Sequence, residues 1–160
     1  MTLTQFTAKQ KGQWRRQAGI DRQRVRRFTD TVSASDLPDL SGLTLLVVDD
    51  NDDSLDMLTT LLQACGAGVL QARNAAAALA YVDTQPHIDV IVSDMSLPRV
   101  DGVELVRRVR ERRPSMPAIA LTGFYEEYMD RRTAGFAAFL RKPVNLDELC
   151  RAIRNAVRSR

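Results

Sequence analysis

Cysteine is scarce in this chain: Cys65 and Cys150 are the two in 160 residues. They match neither zinc-ligand spacing nor a CxxC pair. That sets aside a structural zinc centre and a disulfide-stapled secreted domain, and makes a reduced, cytoplasmic setting the expectation. Long apolar runs are missing too. None approaches the roughly 20 residues that a membrane-spanning helix needs, and Met1 to Gln10 is polar, without the apolar centre of a secretory signal. There is no glycine-rich GxGxxG or GxxxxGK[ST] loop, so nothing supports a dinucleotide or P-loop nucleotide site. No internal repeat indicates a solenoid. What is there is a globular composition, 44% hydrophobic and 27% charged, in a length that fits one domain with an appendage.

The net charge of +3 conceals a division. Residues 1–40 carry eight basic side chains (Lys9, Lys11, Arg15, Arg16, Arg22, Arg24, Arg26, Arg27) against four acids, whereas the remainder carries 15 basic against 16 acidic. The basic excess therefore belongs to the first quarter. Composition changes again over Ser33–Gly42, where small polar residues, Pro38 and Gly42 read as a linker. The division expected is a basic N-terminal arm with its linker over 1–41, and a domain over 42–160. Trp14, Ala18, Val25, Phe28 and Val32 fall on one helical stripe of the arm, although Gly12 and Gly19 weaken that helix.

Beyond the linker the chain alternates between two kinds of segment. Leu43–Val48, Val69–Ala72, Ile88–Ser93, Ala118–Leu121 and Ala137–Leu140 are short, mainly apolar runs, as in strands buried on both faces. Between and after them lie stretches with helical spacing. These are the region around Leu55–Leu62 closed by Gly66, Asn74–Val82 with Asn74 as N-cap, Val103–Arg112 stopped by Pro114, Glu126–Ala134, and Asp147–Val157. Five strand–helix pairs in strict alternation predict an α/β fold, a doubly wound five-stranded parallel sheet with helices on both faces, flavodoxin-like in architecture. Sites in such sheets lie outside the carboxyl ends of the strands.

Those ends are polar here. Strand one runs into Asp49-Asp50, strand three into Asp94, strand four into Thr122, and strand five into Lys142-Pro143. Three carboxylates, a hydroxyl and an ammonium thus converge on one edge. Like charges at roughly 4 Å repel by about 4 kcal/mol at an effective dielectric near 20. One lysine leaves a surplus of negative charge, which predicts a divalent ion with hard oxygen ligands, most simply Mg²⁺. Carboxylate, Mg²⁺, hydroxyl and ammonium together are the parts that phosphoryl transfer uses. Alone, Asp49-Asp50 would serve equally as a helix N-cap with acids that suit the helix dipole.

The segments Leu45–Asn51, Val90–Gly102, Ala120–Gly123 and Phe139–Pro143 resemble, in order and spacing, the receiver domain of two-component response regulators of the chemotaxis-type, single-domain kind. The resemblance covers about three quarters of the chain. It implies that Asp94 is the phosphoacceptor, supplied by a phosphohistidine on a sensor histidine kinase or a histidine phosphotransfer protein. It implies that Asp50 binds Mg²⁺ directly, that Asp49 holds it through water, and that the main-chain carbonyl of Ser96 is a further ligand beside Asp94. Lys142 would pair with the phosphoryl oxygens and the metal-binding carboxylates, Thr122 would swing to bond the phosphoryl group, and Phe139 would rotate inward and reshape the face that a downstream protein reads. Gly123 fits the small residue that lets a phosphodonor approach, and Lys142-Pro143 looks like the family's cis peptide. Phe124, on the path of the hydrolytic water, implies a long phosphoryl lifetime.

The function expected is that of a signalling phosphoacceptor that catalyses only its own phosphorylation and dephosphorylation. With no output domain expected after Arg160, a stand-alone receiver that signals through a protein contact is the leading reading, with a homodimer left open. A haloacid-dehalogenase-like phosphatase would want an aspartate where Ser96 stands. The alternative from another class is a DNA-associated regulator whose basic arm contacts nucleic acid; a basic face also suits an acidic membrane surface, but no DNA-reading module is recognisable. His87 reads as a surface residue, Cys65 and Cys150 as small packing residues on helices, and Phe139 equally as plain core.

Overall fold

The computed structural model describes residues 38–123 and 135–159. The basic arm, Phe124 and the helix expected over 126–134 lie outside them. The described residues form five strands, β1 (Thr44–Val48), β2 (Gly68–Ala72), β3 (Val90–Asp94), β4 (Ala118–Thr122) and β5 (Ala138–Arg141). They also form four helices, α1 (Asp52–Ala64), α2 (Ala75–Thr84), α3 (Gly102–Arg112) and α4 (Leu146–Arg158). The sheet is parallel throughout, in the order β2-β1-β3-β4-β5. It is the doubly wound α/β sheet that the alternating pattern predicts.

The central strands read as unbroken apolar runs because both their faces are covered. Leu45, Val47, Val90, Val92, Ile119 and Leu121 point to one side, where Leu55, Leu58 and Leu62 of α1 and Leu149, Cys150 and Ile153 of α4 meet them. Leu46, Val48, Ile91 and Ala118 point to the other, against Ala75, Ala78 and Val82 of α2 and Leu105, Val106 and Val109 of α3. Leu45 to Val48 are at most 1% exposed. Burial of each such side chain contributes about 1.5–3 kcal/mol, and a one-residue slip of register would exchange the two faces.

Local chemistry sets the helix starts. Asn51, Asn74, Asp101 and Asn145 each accept the backbone N–H three residues on, as N-caps do. The cap of α1 is therefore Asn51, which leaves Asp49 and Asp50 free of that task. Asp147 and Glu148 lie in the first turn of α4, where the helix dipole favours acids. After α1 the chain turns at Gly66, whose φ of +89° is in the region that glycine adopts without strain.

Candidate functional site

β1 sits between β2 and β3, so the chain leaves its carboxyl end toward one side of the sheet, while the next crossover returns on the other. Sheets of this kind place their sites where the winding reverses. Asp49 is the first residue past β1, and Asp94 closes β3. Both are buried, an arrangement that costs free energy unless the charges are paired.

Asp49 is held from three directions. Its Oδ1 accepts the backbone N–H of Asn51 at 2.9 Å, and its Oδ2 accepts the Ser54 hydroxyl at 2.8 Å and the Lys142 ammonium at 3.0 Å. Asp94 accepts the backbone N–H of Ser96 on Oδ1 at 3.0 Å, and its Oδ2 stands 3.1 Å from Lys142 Nζ. Lys142 thus bridges the two carboxylates. Its own backbone N–H donates to the Thr122 carbonyl at 2.9 Å, which ties the loop after β5 to the end of β4. The Lys142-Pro143 peptide that follows is cis.

Carboxylate oxygens of Asp49, Asp50 and Asp94 all lie within 4.8 Å of one another, Asp50 being the most exposed of the three. At that spacing each ionised pair repels by about 3.5 kcal/mol at an effective dielectric near 20. Burial pushes the Asp94 carboxyl above the usual carboxylate range; Lys142 opposes that shift and Asp49 adds to it. Burial works against the charged form of Lys142, but Asp94 and Asp49 outweigh it and hold the ammonium above the usual lysine range. The corner is short of positive charge, and its donors are hard oxygens, which is the chemistry that Mg²⁺ prefers.

Thr122 closes β4 fully buried, and Ser96 lies exposed in the loop after β3. Phe139 is half-buried, with its ring centroid 5.1 Å from that of Phe136 and tilted 58° to it. The two rings pack with Met95, Ala120 and Val103 just below the acidic edge. All the residues that the sequence singled out at strand ends therefore gather at one edge, apart from Phe124, which lies outside the described residues.

Three contributors escaped the sequence reading. Ser54 supplies a hydroxyl to Asp49, and its place at the third position of α1 was the available signal. Gly102 opens α3, and a Cβ there would stand 2.9 Å from the Asp94 carbonyl oxygen and 3.0 Å from the Met95 Cα, so only glycine lets α3 approach β3 this closely. Arg99 carries a φ of +69° between Pro98 and Val100, whose carbonyl and N–H bond at 2.9 Å. Such a tight, strained turn is of the kind that collects beside functional sites.

A family model for the response regulator receiver domain matches residues 35–154. The chain belongs to this family. A receiver domain protein from Clostridium thermocellum, solved by crystallography, superposes with a TM-score of 0.69 at 31% identity, covering 73% of this chain and 95% of that one. Among curated relatives, an uncharacterized 14.6 kDa protein of Leptolyngbya boryana is 42% identical over 120 residues, covering 71% of this chain and 89% of its own length. A cyclic di-GMP phosphodiesterase of Thermotoga maritima is 30% identical over 120 residues, but this chain spans only 32% of its length. The chain is thus a receiver of two-component response regulators, with an acidic pocket compatible with Mg²⁺ and aspartyl phosphorylation. No helix among the described residues is long and apolar enough to cross a membrane. The nucleic-acid alternative rests on the basic arm, outside the described residues, and no comparison adds to it.

Proposed function

We propose that this receiver takes a phosphoryl group onto Asp94 from a phosphohistidine of a sensor histidine kinase or a phosphotransfer protein, with Mg²⁺ held by Asp50, by Asp49 through water, and by Asp94 and the Ser96 carbonyl. The observation that supports the reading best is the Lys142 ammonium, 3.0 Å from Asp49 and 3.1 Å from Asp94 and the one cation in contact with both buried carboxylates among the described residues. A carboxylate oxygen of Asp94 attacks phosphorus, the P–O bond forms as the P–N bond breaks, and the imidazole nitrogen keeps the electron pair. When bound, Mg²⁺ offsets the negative charge that gathers on the phosphoryl oxygens. Lys142 donates to one of those oxygens and, by its contact with Asp49, keeps the acidic corner in place. Thr122, at the end of β4, turns its hydroxyl to another.

As Thr122 turns, Phe139 rotates inward beside Phe136, and the face around β5 changes for a downstream protein or a second copy of this chain. Phe124 slows hydrolysis by excluding water. The domain 42–160 carries this chemistry, the basic arm and linker over 1–41 precede it, and the setting is cytoplasmic.

Incubation of the chain with a small acyl phosphate and Mg²⁺, followed by intact mass measurement, tests the proposal. A gain of one phosphoryl group is expected, lost in Asp94→Asn and in the presence of a chelator. An adduct that persists in Asp94→Asn would overturn the assignment. Phe124→Glu is expected to lose the phosphoryl group faster than the wild type; a slower loss would remove Phe124 from the account.

A further inference from the structure

Cys65 and Cys150 stand 85 positions apart in the chain, yet the Cys150 thiol lies 3.8 Å from the Cys65 sulfur, within weak hydrogen-bond reach. Both are free thiols and both are buried, at 4% and 0% exposure. Cys65 is the C-cap of α1 and Cys150 lies in the first turns of α4, the two helices that share one face of the sheet. The pair is at the far end of α1 from the acidic corner and takes no part in the chemistry proposed there.

We propose that Cys65 and Cys150 form a dithiol–disulfide pair, a modification site that a small-molecule disulfide of the glutathione class oxidises to an intramolecular crosslink between α1 and α4. A disulfide needs its sulfurs at about 2.05 Å, and these two already stand 3.8 Å apart inside one apolar cluster, so a short further approach of the two side chains forms it. Nothing else in the chain can compete, since these are its two cysteines.

Access is through Cys65. It closes a helix, flanked by exposed Ala64 and Gly66, where a brief opening of the last turn uncovers it. The Cys65 sulfur, as thiolate, attacks one sulfur of the small disulfide and displaces the other as a small thiolate. The Cys150 sulfur, its proton released, then attacks the Cys65 sulfur and displaces the second small thiolate. The protons of the two protein thiols end on the two small thiols. Two electrons pass from the protein dithiol to the small disulfide, which is reduced to two thiols.

Burial holds the Cys65 thiol above its ordinary range and pushes Cys150 up to about 12. Both steps are therefore held back by scarce thiolate in the closed fold, and the second is helped by the partner sulfur lying in contact. Leu40 donates its N–H to the Cys65 carbonyl at 2.7 Å, so the segment that enters the domain from the arm is anchored on the same residue.

The test treats the reduced full chain with oxidised glutathione and follows intact mass, a non-reducing peptide map and thermal melting. The expected product is a monomer lighter by two hydrogens, with one peptide pair joining Cys65 to Cys150. A crosslink closing a loop of this size restricts the unfolded chain strongly, so the melting temperature is expected to rise by about 10 °C over the reduced protein. Cys65→Ala and Cys150→Ala chains should show neither crosslink nor shift; if either fails to fold, the wild-type map and melt decide alone. A persistent single glutathione adduct, a disulfide between chains, thiols still reduced after an exposed dithiol peptide has been fully oxidised, or a crosslinked chain that melts lower than the reduced one would each overturn the proposal.

Discussion

The two ends of α1 bury opposite kinds of group. Past its N-terminus, Asp49 and Asp94 are ionisable oxygens removed from water and joined through a single ammonium; at its C-terminus, Cys65 and Cys150 are neutral sulfurs among leucines and alanines. The fold treats them differently because a thiol keeps its proton when buried, whereas a carboxylate must find a cation or a proton. One end is therefore stable by packing alone. The other is strained electrostatically, which readies it to bind a cation and an electrophile.

Placing a carboxylate at the thiol end should break the contrast most severely. Cys150→Asp, which puts a carboxylate into this apolar cluster with Arg154 acting on it only through charge, is expected to cost about 4 kcal/mol in urea unfolding; a loss below about 1 kcal/mol would mean that this end is not dry. Removal of the ammonium at the acidic end comes next. Lys142→Met leaves two buried carboxylates unpaired and should cost about 3 kcal/mol in metal-free buffer, less at low pH where Asp94 is protonated.

Mg²⁺ sharpens the comparison from the other direction. At a hundredfold excess over its dissociation constant it should stabilise the wild type by about 2.7 kcal/mol, and Asp50→Ala should lose most of that gain. An equal gain in the variant would remove Asp50 from the metal set.

The raised carboxyl of Asp94 fixes the sign of a pH effect. The folded protein keeps this proton to a higher pH than the unfolded chain does, so the group's contribution is full below about pH 3.9 and declines as pH rises through the folded value. Metal-free stability should therefore fall over that interval, and Asp94→Asn should flatten the fall; an unchanged slope would show that another group sets it. The smallest expected effect is that of Ser54→Ala, about 1 kcal/mol, from the lost donor to Asp49.

Much of this molecule was legible in order of chain. Leu45 to Val48, Val90 to Val92 and Ala118 to Leu121 announce doubly covered strands by composition, and Asn74 and Gly66 mark helix ends because caps and left-handed turns act within a few residues. The polar ends Asp49-Asp50, Asp94, Thr122 and Lys142 follow from the strand assignments together with the rule that parallel sheets place their sites at carboxyl ends. Ser54 and Gly102 were not legible as site residues, since each matters only through an atom on a distant element.

What the sequence determined by itself is the alternation of strand and helix and the kind of chemistry gathered at one edge, because periodicity, caps and strand termini are local properties. The family resemblance already implied that Lys142 pairs with the carboxylates; only the tertiary structure set its distances of 3.0 Å to Asp49 and 3.1 Å to Asp94, and decided that two cysteines with no motif between them touch. Those contacts depend on β1 lying beside β3 and on α1 sharing a face with α4. That order is set by the packing of the whole sheet, and no short stretch of residues encodes it.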